Sequence, residues 1–212
     1  MPIRHRNPPD TSRKAGLPGW LGGRGARRAP ACLLAVLLAC ATCEASPQAG
    51  PHAQPDVSLE YAVKATYLYK LAPFVNWPPT TFEAPDQPFR ICLAGQDRFD
   101  DYLQHAVAGR SLGTHPFEVR RLDTLTPDTK CQIVFISHLS SQSVQQALDA
   151  VSGKPVLTVV DSTEPHAGGG IVQFVIDRGR VRFVIDTGAA ARNHITISSK
   201  LLNLALAVRE AS

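Results

Sequence analysis

Three aspartates, Asp161, Asp177 and Asp186, each close an apolar run. The carboxyl ends of strands are where open α/β sheets place reactive groups, and a carboxylate there could act as a base or hold a ligand. Turn-forming aspartates occupy the same positions for purely local reasons. His138, His166 and His194 fall in loops between the runs. A pocket at the strand ends near Asp161, His166 and His194 would suit a small-ligand receptor. No histidines form the i, i+4 pair with a glutamate that a zinc protease needs. Gly168-Gly-Gly170 precedes a strand and lacks both the Walker lysine and the spaced glycines of a dinucleotide fold. There is no Gly-x-Ser-x-Gly elbow, and Ser198-Ser199-Lys200 reads as a serine cap followed by a helical lysine. The expectation is a protein that is not an enzyme, with no metal site and no cofactor.

Charge narrows the partners. The 212 residues carry 22 Lys+Arg against 18 Asp+Glu. Residues 1–45 hold seven of the basic residues and two acidic ones, Asp10 and Glu44, which leaves 15 basic and 16 acidic residues in 46–212. A domain so balanced offers no phosphate-neutralising surface in its composition, so nucleic acid is not an expected partner. Within 1–45, a long basic stretch to Arg28 leads into the apolar run Ala29-Pro-Ala-Cys-Leu-Leu-Ala-Val-Leu-Leu-Ala-Cys-Ala41 and then small residues. That layout predicts an export signal, too short to span a bilayer, which takes about 20 apolar residues. Two exits compete: cleavage at Ala39-Cys40-Ala41, and a lipobox Leu37-Leu-Ala-Cys40 that would leave a lipid-anchored Cys40.

Cys32, Cys40 and Cys43 belong to the leader, which leaves Cys92 and Cys131. An even pair in an exported domain is expected to be joined, two buried free thiols being the competing reading.

These residues need elements to position them. Residues 46–55 have linker composition. From Asp56 or Ser58 a helix is expected through Tyr61, Ala65, Leu68 and Ala72, stopped by Pro73. Phe74-Val-Asn-Trp77 then sets two aromatics beside Pro78-Pro79. Such aromatics on a rigid turn make interface anchors, though Phe74 and Trp77 could equally fill the core. Phe89–Ala94 reads as a strand, 98–107 as a helix, Phe117–Leu122 as a strand near an edge, Gln132–Ser137 as the central strand, and 143–151 as a helix. Pro155–Val160 is a buried strand, and Ile171–Ile176 with Val181–Ile185 a hairpin about Asp177-Arg-Gly-Arg180. A last helix is expected through Leu201, Leu202, Ala205, Leu206 and Val208. The plan is a single α/β domain over 56–212, a mixed sheet flanked by helices.

Four stretches, Glu60–Pro78, Phe89–Gly95, Pro155–Asp161 and Ile197–Ala205, resemble the YfiR family of bacterial periplasmic proteins, sometimes grouped with HmsC. The first is the most specific: Lys64-Ala-Thr-Tyr-Leu-Tyr69 running into Phe74-Val-Asn-Trp-Pro78 is not forced by helix packing. The resemblance implies a periplasmic repressor that restrains the periplasmic domain of a membrane-bound diguanylate cyclase, lowering cyclic-di-GMP signalling and biofilm formation, and that an outer-membrane lipoprotein withdraws. It also implies a Cys92–Cys131 bridge, matching the family's first disulfide in sequence separation. The chain departs at the second, because Ser162–Gly170 contains no cysteine. Pairing with a second copy, as a homodimer, is left open by the sequence.

Overall fold

Helix α1, Pro55–Leu71, starts on a proline, the residue whose fixed φ and missing N–H suit a first helical position. The expected starts at Asp56 and Ser58 therefore lie within its first turn. The expected apolar positions Ala65, Leu68 and Ala72 are fully buried, and a 3-10 turn, Ala72–Phe74, leads out at Pro73. Beyond it, β1 (Val75–Asn76) is followed by β2 (Phe89–Ala94), α2 (Tyr102–Val107), β3 (Ser111–Leu112), β4 (His115–Leu122), β5 (Ile133–Ile136) and α3 (Val144–Ala150). The chain continues through β6 (Leu157–Asp161), β7 (Val172–Asp177), β8 (Arg180–Asp186), α4 (Thr187–Arg192), β9 (Thr196–Ile197), α5 (Ser199–Leu202) and β10 (Ala207–Arg209). This computed structural model describes residues 55–96, 98–99, 101–161 and 169–210, without the side chains of 55–58. The expected leader 1–45 with Cys40, the linker at 46–54 and His166 lie outside the described residues.

Eight strands form one mixed sheet in the order β10-β8-β7-β6-β5-β2-β4-β3. β5 is central, as its unbroken apolar run requires, and β4 lies one short strand from the edge. Within this sheet, among the described residues, only β7–β8 and β3–β4 pair antiparallel. At the β7–β8 turn Asp177 faces Arg180, and Arg178 (φ 48°) and Gly179 (φ 71°) take the left-handed conformations of a two-residue hairpin. Alternate residues of each strand serve opposite faces. Ile91, Leu93, Phe135, Val159 and Phe174 meet α1 and α2 on one side. Cys92, Ala94, Val134, Ile136 and Val160 meet α3 on the other. Ser143 caps α3 through a reciprocal box with Gln146. Gly95 leaves β2 at φ 92°, where an added Cβ would stand 2.6 Å from the His138 carbonyl oxygen, so only glycine fits.

The expected last helix is replaced by a single turn, α5, and an edge strand, β10. Ser198 caps α5 through the Leu201 N–H. The Leu206 N–H then donates to the Phe183 carbonyl at 2.8 Å, and β10 runs parallel to β8. Satisfying the open edge of β8 outweighs the helical spacing of the leucines. Of that run Leu201 is buried, whereas Leu204, Leu206 and Val208 stay exposed.

A disulfide joins Cys92 in β2 to Cys131 ahead of β5, with Cα atoms 6.0 Å apart and a sequence separation of 39. Closing such a loop contributes about 4 kcal/mol in the chain-entropy view. Melting with and without reductant should therefore show a clear drop on reduction, and Cys92→Ser should melt at the reduced temperature in either buffer. Equal melting of the unmodified protein in both buffers would contradict the bridge.

Candidate functional site

Asp161 ends β6, and period-two alternation puts its side chain on the same face as Leu157 and Val159, toward α1. There it meets Lys64. Lys64 lies on the inner face of α1 beside Ala65 and Leu68, only 1% exposed. Its ammonium donates to Asp161 Oδ2 and to Glu60 Oε1, one turn back on the same helix. Glutamate four residues before lysine is the favourable order on a helix. The Nζ also stands 4.7 Å from the centre of the Tyr61 ring. That ring packs edge-on against Phe99 at 5.1 Å.

A buried ammonium is costly unless paired. Burial pulls the Lys64 pKa down, but hydrogen bonds and charge from Asp161 and Glu60 outweigh it and hold the group above the ordinary lysine value. Burial likewise pushes the Tyr61 phenol up, with Lys64 opposing. Nucleophilic lysines need the reverse, a depressed pKa that frees the amine. Lys64 stays charged, and the cluster is built to fasten α1 to the end of β6.

Of the other acids, Asp186 accepts from the Ala189 N–H at 2.7 Å and caps α4, and Asp177 sits in the hairpin turn. His194 follows Asn193, whose side-chain amide bonds the Gly153 N–H and the Val156 carbonyl at the start of β6. The structure therefore leaves His194 and Asp161 at opposite ends of β6, five residues at about 3.3 Å each. They do not share a pocket. His194 is exposed in a left-handed conformation, φ 56°, at the end of α4. Among the described residues no three metal-ligating side chains gather.

The aromatic segment is placed by β1, which pairs antiparallel with β9, and by the Ser198 N–H donating to the Phe74 carbonyl at 2.9 Å. Trp77 is half-buried: its Nε1–H donates to the Ala72 carbonyl at 3.1 Å, and its ring meets Phe89 edge-on at 5.4 Å. Phe74 is half-buried too, and lines an open groove of about 260 Å³ with Tyr69, Pro73, Leu112 and Phe117. Of the two expected anchors, Phe74 lines the groove, while Trp77 is held in the fold by its hydrogen bond and ring contact. Lys64 escaped sequence reading. Its place beside the apolar stripe of α1 was the available signal, but its partner lies 97 positions away.

These features define a small α/β domain that presents one ion-paired helix and its aromatic exit over a mixed sheet. The YfiR/HmsC-like family model matches residues 61–206, more than half the chain, and the chain belongs to that family. No curated protein matches it. Family membership supports a regulatory role in general, as opposed to a catalytic one.

Lys64→Met should cost about 3–5 kcal/mol, since it removes the ammonium against which the Asp161 carboxylate is buried. Adding Asp161→Leu should recover most of that loss in urea unfolding. Because the Lys64 and Tyr61 pKa values are raised in the folded state, their stabilisation is complete below the unfolded lysine and tyrosine values, about 10.4 and 10. It fades as pH climbs through the folded values. Unfolding free energies measured from pH 8 upward should fall in that window, and less steeply in the double variant. Equal stabilities of Lys64→Met and the unmodified protein would refute the pairing.

Proposed function

We propose that this protein is a non-catalytic regulator of the periplasm, which binds the periplasmic domain of a membrane-bound diguanylate cyclase, favours its inactive state and so lowers cyclic-di-GMP and biofilm formation. Export through the leader, by ordinary cleavage or by lipidation at Cys40, brings it to that compartment, and an outer-membrane lipoprotein that competes for it would relieve the restraint. A regulator of this kind works by differential binding, holding one state of its target more tightly than the other. The observation that carries the reading is the family match across 61–206. It is supported by the groove beside Phe74, whose aromatic and apolar lining is open to a partner.

Deleting the gene should raise cellular cyclic-di-GMP, and the unmodified gene supplied in trans should restore it. Phe74→Ala should restore it only partly while reaching the same protein level. Unchanged cyclic-di-GMP in the deletion strain across several growth conditions would overturn the reading.

A further inference from the structure

Helix α1 is apolar on two sides. Its inner side carries Ala65, Leu68 and Leu71 into the core. At 3.6 residues per turn, Leu59, Val63, Tyr67 and Lys70 line up on the far side. A surface helix ordinarily keeps that side polar. Here Leu59 is 66% exposed, while Val63 and Tyr67 are half-buried, each with one edge against the core and the other facing out. Three concave stretches follow this side of the helix and share residues end to end. A cleft of about 810 Å³ between α1 and the β7–β8 hairpin contains Leu59, Val63 and Tyr67, with the exposed Ile176 opposite. Val63 and Tyr67 continue into a second hollow that reaches Lys70. Lys70 belongs in turn to the groove at Phe74. From Leu59 to Phe74 the track is about 20 Å long, four turns of helix.

The charge along this track is one-sided. Its charged lining residues are Arg180 and Arg182 at one end, Lys70 and Arg110 at the other, and Glu60. Glu60 is already held by Lys64. Among the described residues neither Arg180 nor Arg182 makes an ion pair, while Arg110 lies 5.1 Å over the Tyr69 ring. In a domain whose basic and acidic residues nearly balance, an apolar floor with basic ends has a definite complement.

We infer that the outer side of α1 is a docking track for an amphipathic helix of about four turns with one apolar face and acidic flanks, contributed by the partner protein. The apolar face lies along Val63 and Tyr67, and its carboxylates meet Arg180 and Arg182 at the hairpin and Lys70 and Arg110 at the Phe74 end. This is helix-in-groove recognition, with the charges setting orientation and encounter rate. The inference deepens the proposed regulatory reading by giving the partner surface a chemistry, yet its binding test needs no cyclase.

The test uses the purified protein and two fluorescent helical peptides with the same leucine stripe, one flanked by glutamates and one by lysines. Anisotropy should show saturable binding of the glutamate peptide, weakened by added salt, and at least about tenfold weaker binding of the lysine peptide. Arg180→Glu with Arg182→Glu, an exposed and a half-buried position of β8 outside the core, should reverse the preference, with melting of the variant checked alongside. Indifference to peptide charge, or an unchanged preference in that variant, overturns the inference. So does binding to phosphatidylglycerol vesicles in place of the peptide, which would make the track a lipid surface. Self-association abolished by Val63→Glu, with no peptide binding, overturns it in favour of a second copy. If the glutamate peptide binds as expected while gene deletion leaves cyclic-di-GMP unchanged, the track stands and the cyclase assignment falls.

Discussion

The ammonium of Lys64 between Asp161 and Glu60 is the contact on which the arrangement turns. Apolar packing alone is a weak guide to the register of a helix on a sheet, because the hydrophobic effect is non-directional. A buried charge is not interchangeable. Sliding α1 by one turn would separate Lys64 from the end of β6 and leave a carboxylate and an ammonium apart in a dry interior, at a cost of several kcal/mol. We read the pair as a register device. It need not add much net stability to be decisive, since its effect is to penalise every other placement of the helix.

Once α1 is fixed by its inner side, the rest of the exposed chemistry follows. The same register sets Val63 and Tyr67 beside the β7–β8 hairpin, with the Tyr67 ring 5.7 Å from Phe183, and delivers the chain into the turn at Phe74. The β1–β9 pairing then holds that turn against α5. The disulfide acts on the other face, where Cys92 packs near α3. Thus one covalent and one electrostatic fastening serve opposite sides of the sheet, and the electrostatic one governs the face proposed to meet a partner.

Much of this was legible wherever a residue's neighbours in sequence decide its conformation. β2, β5 and β6 follow from apolar runs, the hairpin from Asp177-Arg-Gly-Arg180, and α3 from its serine–glutamine box. The family's fold and the mixed sheet were readable from the same stretches. Failures came where the deciding partner is distant. The leucines after Ser199 have helical spacing, but the open edge of β8 claims them for β10. Helix α4 carries a local signal that its short length and Gly188 mask: Asp186 both ends the β8 run and caps a turn containing Ala189, Ala190 and Ala191. The two-residue strands β1, β3 and β9 are too short to show any period. Asp161 was singled out from its strand-end position, whereas the lysine that neutralises it could not be named without the fold.

The account's central claim is that this domain acts by holding a partner along α1 and not by transforming a substrate. Photocrosslinking in living cells tests it most directly, with a benzophenone amino acid placed at Thr66, on the outer side of α1, and in a separate strain at Asp149, exposed on α3 across the sheet. The account predicts an adduct from position 66, identified by mass spectrometry as a membrane protein with a diguanylate cyclase domain, and none from position 149. No cyclase adduct at either position, or the same adduct at both, would contradict it.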